Sequence, residues 1–160
     1  MRFTIRNYLA VDFRKLWEID QLCFPARIAY SWDELSVYIR RRSAFTLVAE
    51  EVSQGIIGFI VAEATRKGVG HIITIDVLAD ARKRRVGSTL LQAAEHRLRS
   101  LGCRVVCLET AVDNASAIQF YKRHGYDVIE TVPRYYSNGV DALVLEKNLL
   151  RQGPSDTLLK

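Results

Sequence analysis

His71-Ile72-Ile73-Thr74-Ile75-Asp76-Val77-Leu78-Ala79-Asp80-Ala81-Arg82-Lys83-Arg84-Arg85-Val86-Gly87-Ser88-Thr89-Leu90-Leu91 is the stretch that decides how this chain folds. Its first part is an apolar run rich in β-branched residues (Ile72, Ile73, Ile75, Val77, Leu78), which reads as a buried strand. A basic turn follows, from Arg82 to Ser88. From Val86 onward, Leu90, Ala93, Ala94, Leu98 and Leu101 recur with a helical period until Gly102, which predicts a helix closed by a glycine. A strand that delivers a cationic, glycine-containing turn to a helix N-terminus builds an anion site. The free N–H groups of the first turn and the positive end of the dipole both point at whatever sits there.

On the N-terminal side, residues 2–8 alternate and predict an opening edge strand. Asp12 is placed to cap a helix running through Leu16, Ile19 and Leu22, ended by Pro25. A loop from Cys23 to Tyr30 leads to Ser31-Trp32-Asp33-Glu34, a capping box that launches a second helix to about Arg42. Phe45–Glu51 and Ile56–Glu63 form a hairpin around Ser53-Gln54-Gly55, with Gly58 at a position for a bulge or a close contact. On the C-terminal side, Arg104–Thr110 is a strand whose successive apolar residues Val105 to Leu108 suit burial on both faces. Asn114 caps a short helix, Ala115 to His124, that stops at Gly125. Strands at Asp127–Val132 and Ala142–Leu149 close a single domain over residues 1–150, and 151–160 read as a flexible tail.

With 160 residues, 49% of them hydrophobic and 26% charged, the chain has the composition of one ordinary globular domain. Met1-Arg2 leads into a strand and no apolar run nears a membrane span, so a cytoplasmic protein without membrane contact is expected. Cys23, Cys103 and Cys107 lack disulfide or zinc spacing and read as reduced thiols. His71, His96 and His124 share no spacing and read as surface or core residues, with no metal. The net charge of +5 raises nucleic acid as a partner. Much of the excess sits in Arg40-Arg41-Arg42, at a helix C-terminus, and in the Arg82–Arg85 turn, which has an anion of its own to hold. Neither cluster carries interleaved aromatics, so nucleic acid is not expected.

The stretch from Val77 to Leu91 resembles the acetyl-CoA signature of the GCN5-related N-acetyltransferases (the GNAT superfamily): (Arg/Gln)-x-x-Gly-x-(Gly/Ala), then a Leu-Leu helix. Arg82, Gly87 and Leu90-Leu91 match it. Leu108-Glu109-Thr110 with Asn114, Ala117, Tyr121, Gly125 and Tyr126 is similar to a second family segment, at unchanged spacing. Arg134-Tyr135-Tyr136 followed by Asp141-Ala142 resembles the protein N-terminal (ribosomal-protein alanine) acetyltransferases of RimI-like and related types. The resemblance covers most of the chain and is weakest before Thr46. It implies a mixed seven-stranded sheet splayed between strands four and five, with about four helices on both faces.

The resemblance further implies acetyl transfer from acetyl-CoA to a primary amine by direct attack, the acceptor being the α-amine of a protein N-terminus. Asp76, Val77, Arg82, Arg85, Val86, Gly87, Ser88, Asn114, Ala117 and Tyr121 would hold the cofactor, with the Val77 backbone as donor to the acetyl carbonyl. Tyr30, Tyr135 and Tyr136 would wall the substrate. Such a transfer needs a neutral amine, a proton for the leaving thiolate and a donor for the oxyanion. Glu109 is the candidate general base, acting through water, or simply a strand-end charge. Tyr121 is the candidate general acid, or a core tyrosine. A small-molecule amine acetyltransferase and a non-catalytic acyl-CoA-binding module are the alternatives, and a monomer or homodimer is expected.

Arg85 departs from the family, standing where the first motif Gly belongs. If that position needs φ > 0, an arginine is strained there. With helix from Val86 onward and no compensating glycine at 84 or 86, first-turn helical geometry is the expectation, the side chain reaching toward a phosphate.

Overall fold

The structure is a computed structural model that describes residues 2–26 and 28–150, so the expected 151–160 tail lies outside the described residues. Seven strands form one mixed sheet in the order β1-β2-β3-β4-β5-β7-β6. They are β1 (Phe3–Asn7), β2 (Ala44–Glu51), β3 (Gly55–Ala64), β4 (Val69–Val77), β5 (Val105–Ala111), β6 (Asp127–Val132) and β7 (Ala142–Asn148). The helices are α1 (Phe13–Cys23), α2 (Trp32–Arg40), α3 (Val86–Ser100) and α4 (Ala115–Arg123). Neighbouring strands run antiparallel, except β4 and β5.

The β4–β5 pair positions the site. It is laddered only at Val69↔Val105, Gly70↔Val106 and His71↔Cys107. Beyond that seam β4 continues to Val77 and β5 to Ala111, and β5 turns to β7 alone. The expected splay between strands four and five is therefore present. It also corrects one reading: β5 is not buried on both faces, because Val105, Cys107 and Glu109 are only half-buried while Val106, Leu108 and Thr110 are buried.

Each face of the sheet has its own core. On one, Leu90, Leu91, Ala94 and Leu98 of α3 pack on Ile57, Ile60, Ala62, Ile72 and Val106. On the other, Leu16 and Ile19 of α1 and Leu35 of α2 pack on Val48, Ile56, Phe59 and Val61. Burying each large aliphatic side chain in this way contributes about 1.5–3 kcal/mol. Ile57 and Phe59 face opposite cores although they are two residues apart, because the β2–β3 register slips between Ala49 and Glu50. Gly58 sits at that slip as expected. A Cβ there would lie 2.8 Å from the Asp76 carbonyl oxygen, so only glycine lets β3 come this close to β4.

Three local expectations stand with their chemistry visible. The Ser31–Glu34 capping box is formed reciprocally, with the Glu34 N–H donating to Ser31 Oγ at 3.1 Å and the Ser31 N–H to Glu34 Oε1 at 3.2 Å. Asn114 Oδ1 accepts the Ala117 N–H at 3.2 Å and so caps α4. Gly102 takes φ 88° after α3. Asp12 differs. It precedes α1, but its side chain makes no cap for that helix. A short 3-10 turn intervenes, and the Asp12 carboxylate instead takes the Leu9 N–H and both terminal nitrogens of Arg6. The ion pair offers more than a neutral cap donor, and it ties β1 to the start of α1. Among the described residues no helix is long and apolar enough to cross a membrane.

Candidate active site

The turn between β4 and α3 takes its shape from three contacts. The Leu78 N–H donates to the Ile57 carbonyl at 2.9 Å, closing the β3–β4 ladder. By the alternation of an antiparallel ladder, the Val77 peptide one residue earlier faces the opposite side, where β5 has departed. The Val77 carbonyl there accepts from Arg82 Nε at 3.2 Å. Arg84 is drawn away from the turn: its guanidinium makes two hydrogen bonds to Glu51, at 3.1 and 2.7 Å. Arg82, Lys83 and Arg85 remain exposed.

Arg85 corrects the sequence reading. It is not in first-turn helical geometry: φ is 63° and ψ 18°, in the left-handed region, and Lys83 shares that φ sign at 66°. The family glycine therefore marks a real conformational demand, which this chain meets with an arginine at about 1–2 kcal/mol of strain. Helix α3 starts directly after it, at Val86. The side chain of Val86 is enclosed, so its contribution to the turn is main-chain only. A Cβ on Gly87 would sit 3.4 Å from the Phe120 ring, a close fit between α3 and α4. Ser88 does not leave its hydroxyl free, since Ser88 Oγ is 2.9 Å from His124 Nε2. That bond ties the start of α3 to the end of α4.

Two outcomes follow for this turn. Arg85→Gly should fold normally and gain up to about 1 kcal/mol, the relieved strain less the greater chain entropy of glycine. Differential scanning calorimetry would register a Tm rise of a few degrees; an unchanged or lower Tm would contradict the strain. Arg82→Ala should weaken acetyl-CoA binding by about 1.5–3 kcal/mol, the scale of a charge-assisted hydrogen bond. Calorimetric titration measures it, and unchanged affinity would make Arg82 ordinary surface.

Across the splay, Glu109 is not a bare strand-end charge. Its Oε2 lies 2.6 Å from Nε2 of His71, the last β4 residue of the seam, and both side chains are about three-quarters buried. His71 Nδ1 lies 3.8 Å from Glu63 Oε1. The Glu109 hydrogen bond, with the charges of Glu109 and Glu63, holds the imidazole above its ordinary pKa against a smaller opposing effect of burial. His71 is thus the residue that sequence reasoning missed. Its spacing to other histidines was uninformative, and only the β4–β5 register brings it beside Glu109.

Two tyrosines lie near this pair. Tyr135 and Tyr136, in the β6–β7 connection, have rings 4.9 Å apart, and both feel the Glu109 charge. Tyr30, in the loop before α2, packs its ring 5.2 Å from Tyr38. It is close enough to Tyr135 for their charges to interact. Tyr38 of α2, unmarked in the sequence, lies beside both Tyr30 and Tyr135 and links them, while of these four tyrosines it is Tyr135 and Tyr136 that feel the Glu109 charge. Tyr121 lies on α4 with Ala117 one turn before it, between the rings of Phe120 (5.2 Å) and Tyr126 (5.5 Å). Burial, reinforced by Asp76 and Tyr136, pushes its phenol well above the ordinary range, so it is a protonated donor at neutral pH. Asp76 was expected beside the cofactor, but its side chain is 1% exposed and is directed to α1. The three cysteines are free thiols, and burial raises each of them, Cys23 to about 11.

A family model described as the Acetyltransferase (GNAT) family matches residues 13–126, which span both halves of this arrangement. The chain belongs to the GNAT family. It is accordingly an acetyl-CoA-dependent N-acetyltransferase. This GNAT chain is 27% identical over 155 residues to a protein of Sulfurisphaera tokodaii named N-alpha-acetyltransferase, covering 89% of this chain and 91% of that one. Among solved structures, Ard1 from Thermoplasma volcanium superposes with a TM-score of 0.85 at 27% identity, over 94% of this chain and 100% of that one. The ribosomal-protein-S18-alanine N-acetyltransferase from Escherichia coli gives 0.83 at 18% identity, over 96% and 97%, a likeness of fold.

The donor set suits acetyl-CoA, the acetyl donor of GNAT enzymes. Exposed cations on a left-handed turn and the opening N–H groups of α3 meet a pyrophosphate's requirements. The unpaired ends of β4 and β5 offer main-chain groups to an amide-containing arm.

Proposed function

We propose that this GNAT enzyme acetylates the α-amine of a protein or peptide N-terminus. The observation that carries the reading is the His71–Glu109 pair, set on the splayed strands with Tyr135 and Tyr136 beside it. Tyr38 of α2 and Tyr30 of the loop before it extend that aromatic surface from Tyr135, which suits a slender chain end entering head-on. The names of the Sulfurisphaera and Thermoplasma proteins support the same substrate class.

Acetyl-CoA supplies the activated acetyl group. The chain supplies three things. First, an ammonium has no lone pair, so His71 and Glu109 together take the acceptor's proton, directly or through one water. An α-ammonium has a pKa near 7.7–8.0 and a lysine ammonium one near 10.4, so a histidine raised above its usual ~6.5 matches the former far better. Second, the Val77 peptide, turned to the gap, is the donor for oxyanion charge. Third, Tyr121 delivers its phenolic proton to the departing sulfur. Arg82, Arg85 and the first turn of α3 hold the phosphates, Asn114 and Ala117 fix the start of α4 beside the arm, and Tyr136 completes the wall with Tyr135. The reaction would take place in the cytoplasm, on a monomer or homodimer.

Incubation with acetyl-CoA, a peptide panel with free or blocked N-termini, and a set of polyamines and aminoglycosides tests this. Mass spectrometry should find acetyl groups on free α-amines and none on internal lysines. Higher kcat/KM on the small amines would instead identify a small-molecule acetyltransferase.

A further inference from the structure

Beyond the seam, the end of β4 has lost β5 as a neighbour and is held by α1 and the loop after it. The Tyr30 hydroxyl donates to the Ile73 carbonyl at 3.4 Å, and the Cys23 thiol to the Val77 carbonyl at 3.4 Å. Between these two contacts, Asp20 of α1 meets Asp76 of β4, at 0% and 1% exposure.

Each carboxyl has one oxygen accounted for. Asp20 Oδ2 accepts the Tyr30 N–H at 2.7 Å, and Asp76 Oδ1 accepts the Thr74 hydroxyl at 2.6 Å. Asp20 Oδ1 and Asp76 Oδ2 are fully enclosed, and no ordinary donor reaches either among the described residues. The two buried carboxyls act on one another across the contact of α1 with β4. Ionised carboxylates only accept, so neither enclosed oxygen can satisfy the other unless a proton lies between them. Nor does the surroundings' charge allow two anions. The groups facing the pair are Cys23 of α1, Tyr30 of the loop, Glu34 of α2, Thr74 of β4 and Tyr121 of α4, and none is a cation.

We propose that Asp20 and Asp76 hold one proton between them and act as a positioning pair, Asp76 donating to Asp20, that fixes the unpaired end of β4 and the Tyr30 loop for acetyl transfer. The proton resides on Asp76 because the Tyr30 N–H favours charge on Asp20, while burial and the Asp20 charge drive the Asp76 carboxyl well above the carboxylate range. The pair touches no reacting atom. It sets where Val77, the neighbour of Asp76, and Tyr30, the neighbour of Asp20 in space, stand.

The folded state keeps a proton that the unfolded chain releases once pH passes the ordinary carboxylate range. Between that range and the raised value of Asp76 the native state binds more protons, so the pair's stabilisation falls as pH rises through this window. Asp76→Asn keeps the shape and the donor but has no proton to lose.

Infrared difference spectra of the wild-type protein at neutral pH should contain the carbonyl stretch of a buried protonated carboxylic acid, shifted by deuterium exchange and absent from Asp76→Asn. The fall of Tm between pH 5 and pH 8 should be shallower in Asp76→Asn, with kcat and the acceptor KM within about twofold of wild type at neutral pH. Asp76→Ala, which removes the donor, should raise the acceptor KM at least tenfold. No protonated-carboxyl band in the wild type would overturn the proposal, and so would an unchanged Tm slope in Asp76→Asn. The wild-type band decides the matter even if no variant folds. Neither it nor the Tm slope depends on the acceptor, so the N-terminal reading can fail without touching the pair.

Discussion

Tyr121→Phe should turn over at about one-hundredth of the wild-type rate or less, with the KM for acetyl-CoA nearly unchanged. The ring stays, so the packing against Phe120 and Tyr126 is preserved and folding is unaffected. What disappears is the buried phenol of α4, which like any phenol is protonated at neutral pH and which burial makes still harder to ionise. Without it, the departing sulfur must take its proton from water. Pre-steady-state kinetics would locate the loss in the chemical step. A variant with wild-type turnover would remove Tyr121 from the mechanism and leave it a core residue.

Glu109→Gln should lower kcat/KM about a hundredfold near neutral pH, the lower end of what a positioned base contributes. It should also move the acid limb of the pH profile. Glu109 stabilises the imidazolium of His71, so the wild-type limb lies above the ordinary histidine value. Removing that charge lets His71 lose its proton more readily, and the limb shifts to lower pH even as the plateau drops. His71→Ala should show the drop without a histidine limb. If Glu109→Gln left both height and position of the profile intact, bulk water or another group would be the base.

How much of this was legible in the sequence follows from how local each feature is. The strand–turn–helix from His71 to Ser100, the capping box at Ser31 and the Asn114 cap all rest on neighbours within a few residues, so spacing alone revealed them. The pairing of His71 with Glu109 spans 38 residues and depends on a three-pair parallel register that no periodicity records. Tyr38 and the Asp20–Asp76 contact are hidden for the same reason: each looks like one more position on an amphipathic element until the partner element arrives. Arg85 failed differently. The glycine in the family pattern is a statement about φ, and a helical sequence downstream says nothing of the residue before the first turn.

The short seam between β4 and β5 has one more consequence. Beyond His71 and Cys107 the two strands no longer pair with each other, and on β4 the Ile73 and Val77 carbonyls take side-chain donors instead. A free edge is ordinarily an invitation to any passing strand, and proteins spend charges and bulges to refuse it. Here the refusal is geometric. The outer margins of β4 and β5 are already taken by β3 and β7, so entry is possible only through the gap itself. Strands stack about 4.8 Å apart, so a guest that bridges both edges must be a single extended thread, with amide groups along its length and no bulk at its sides. A sheet parted in this way would act as a caliper, admitting a ligand by its width before any side chain reads its chemistry.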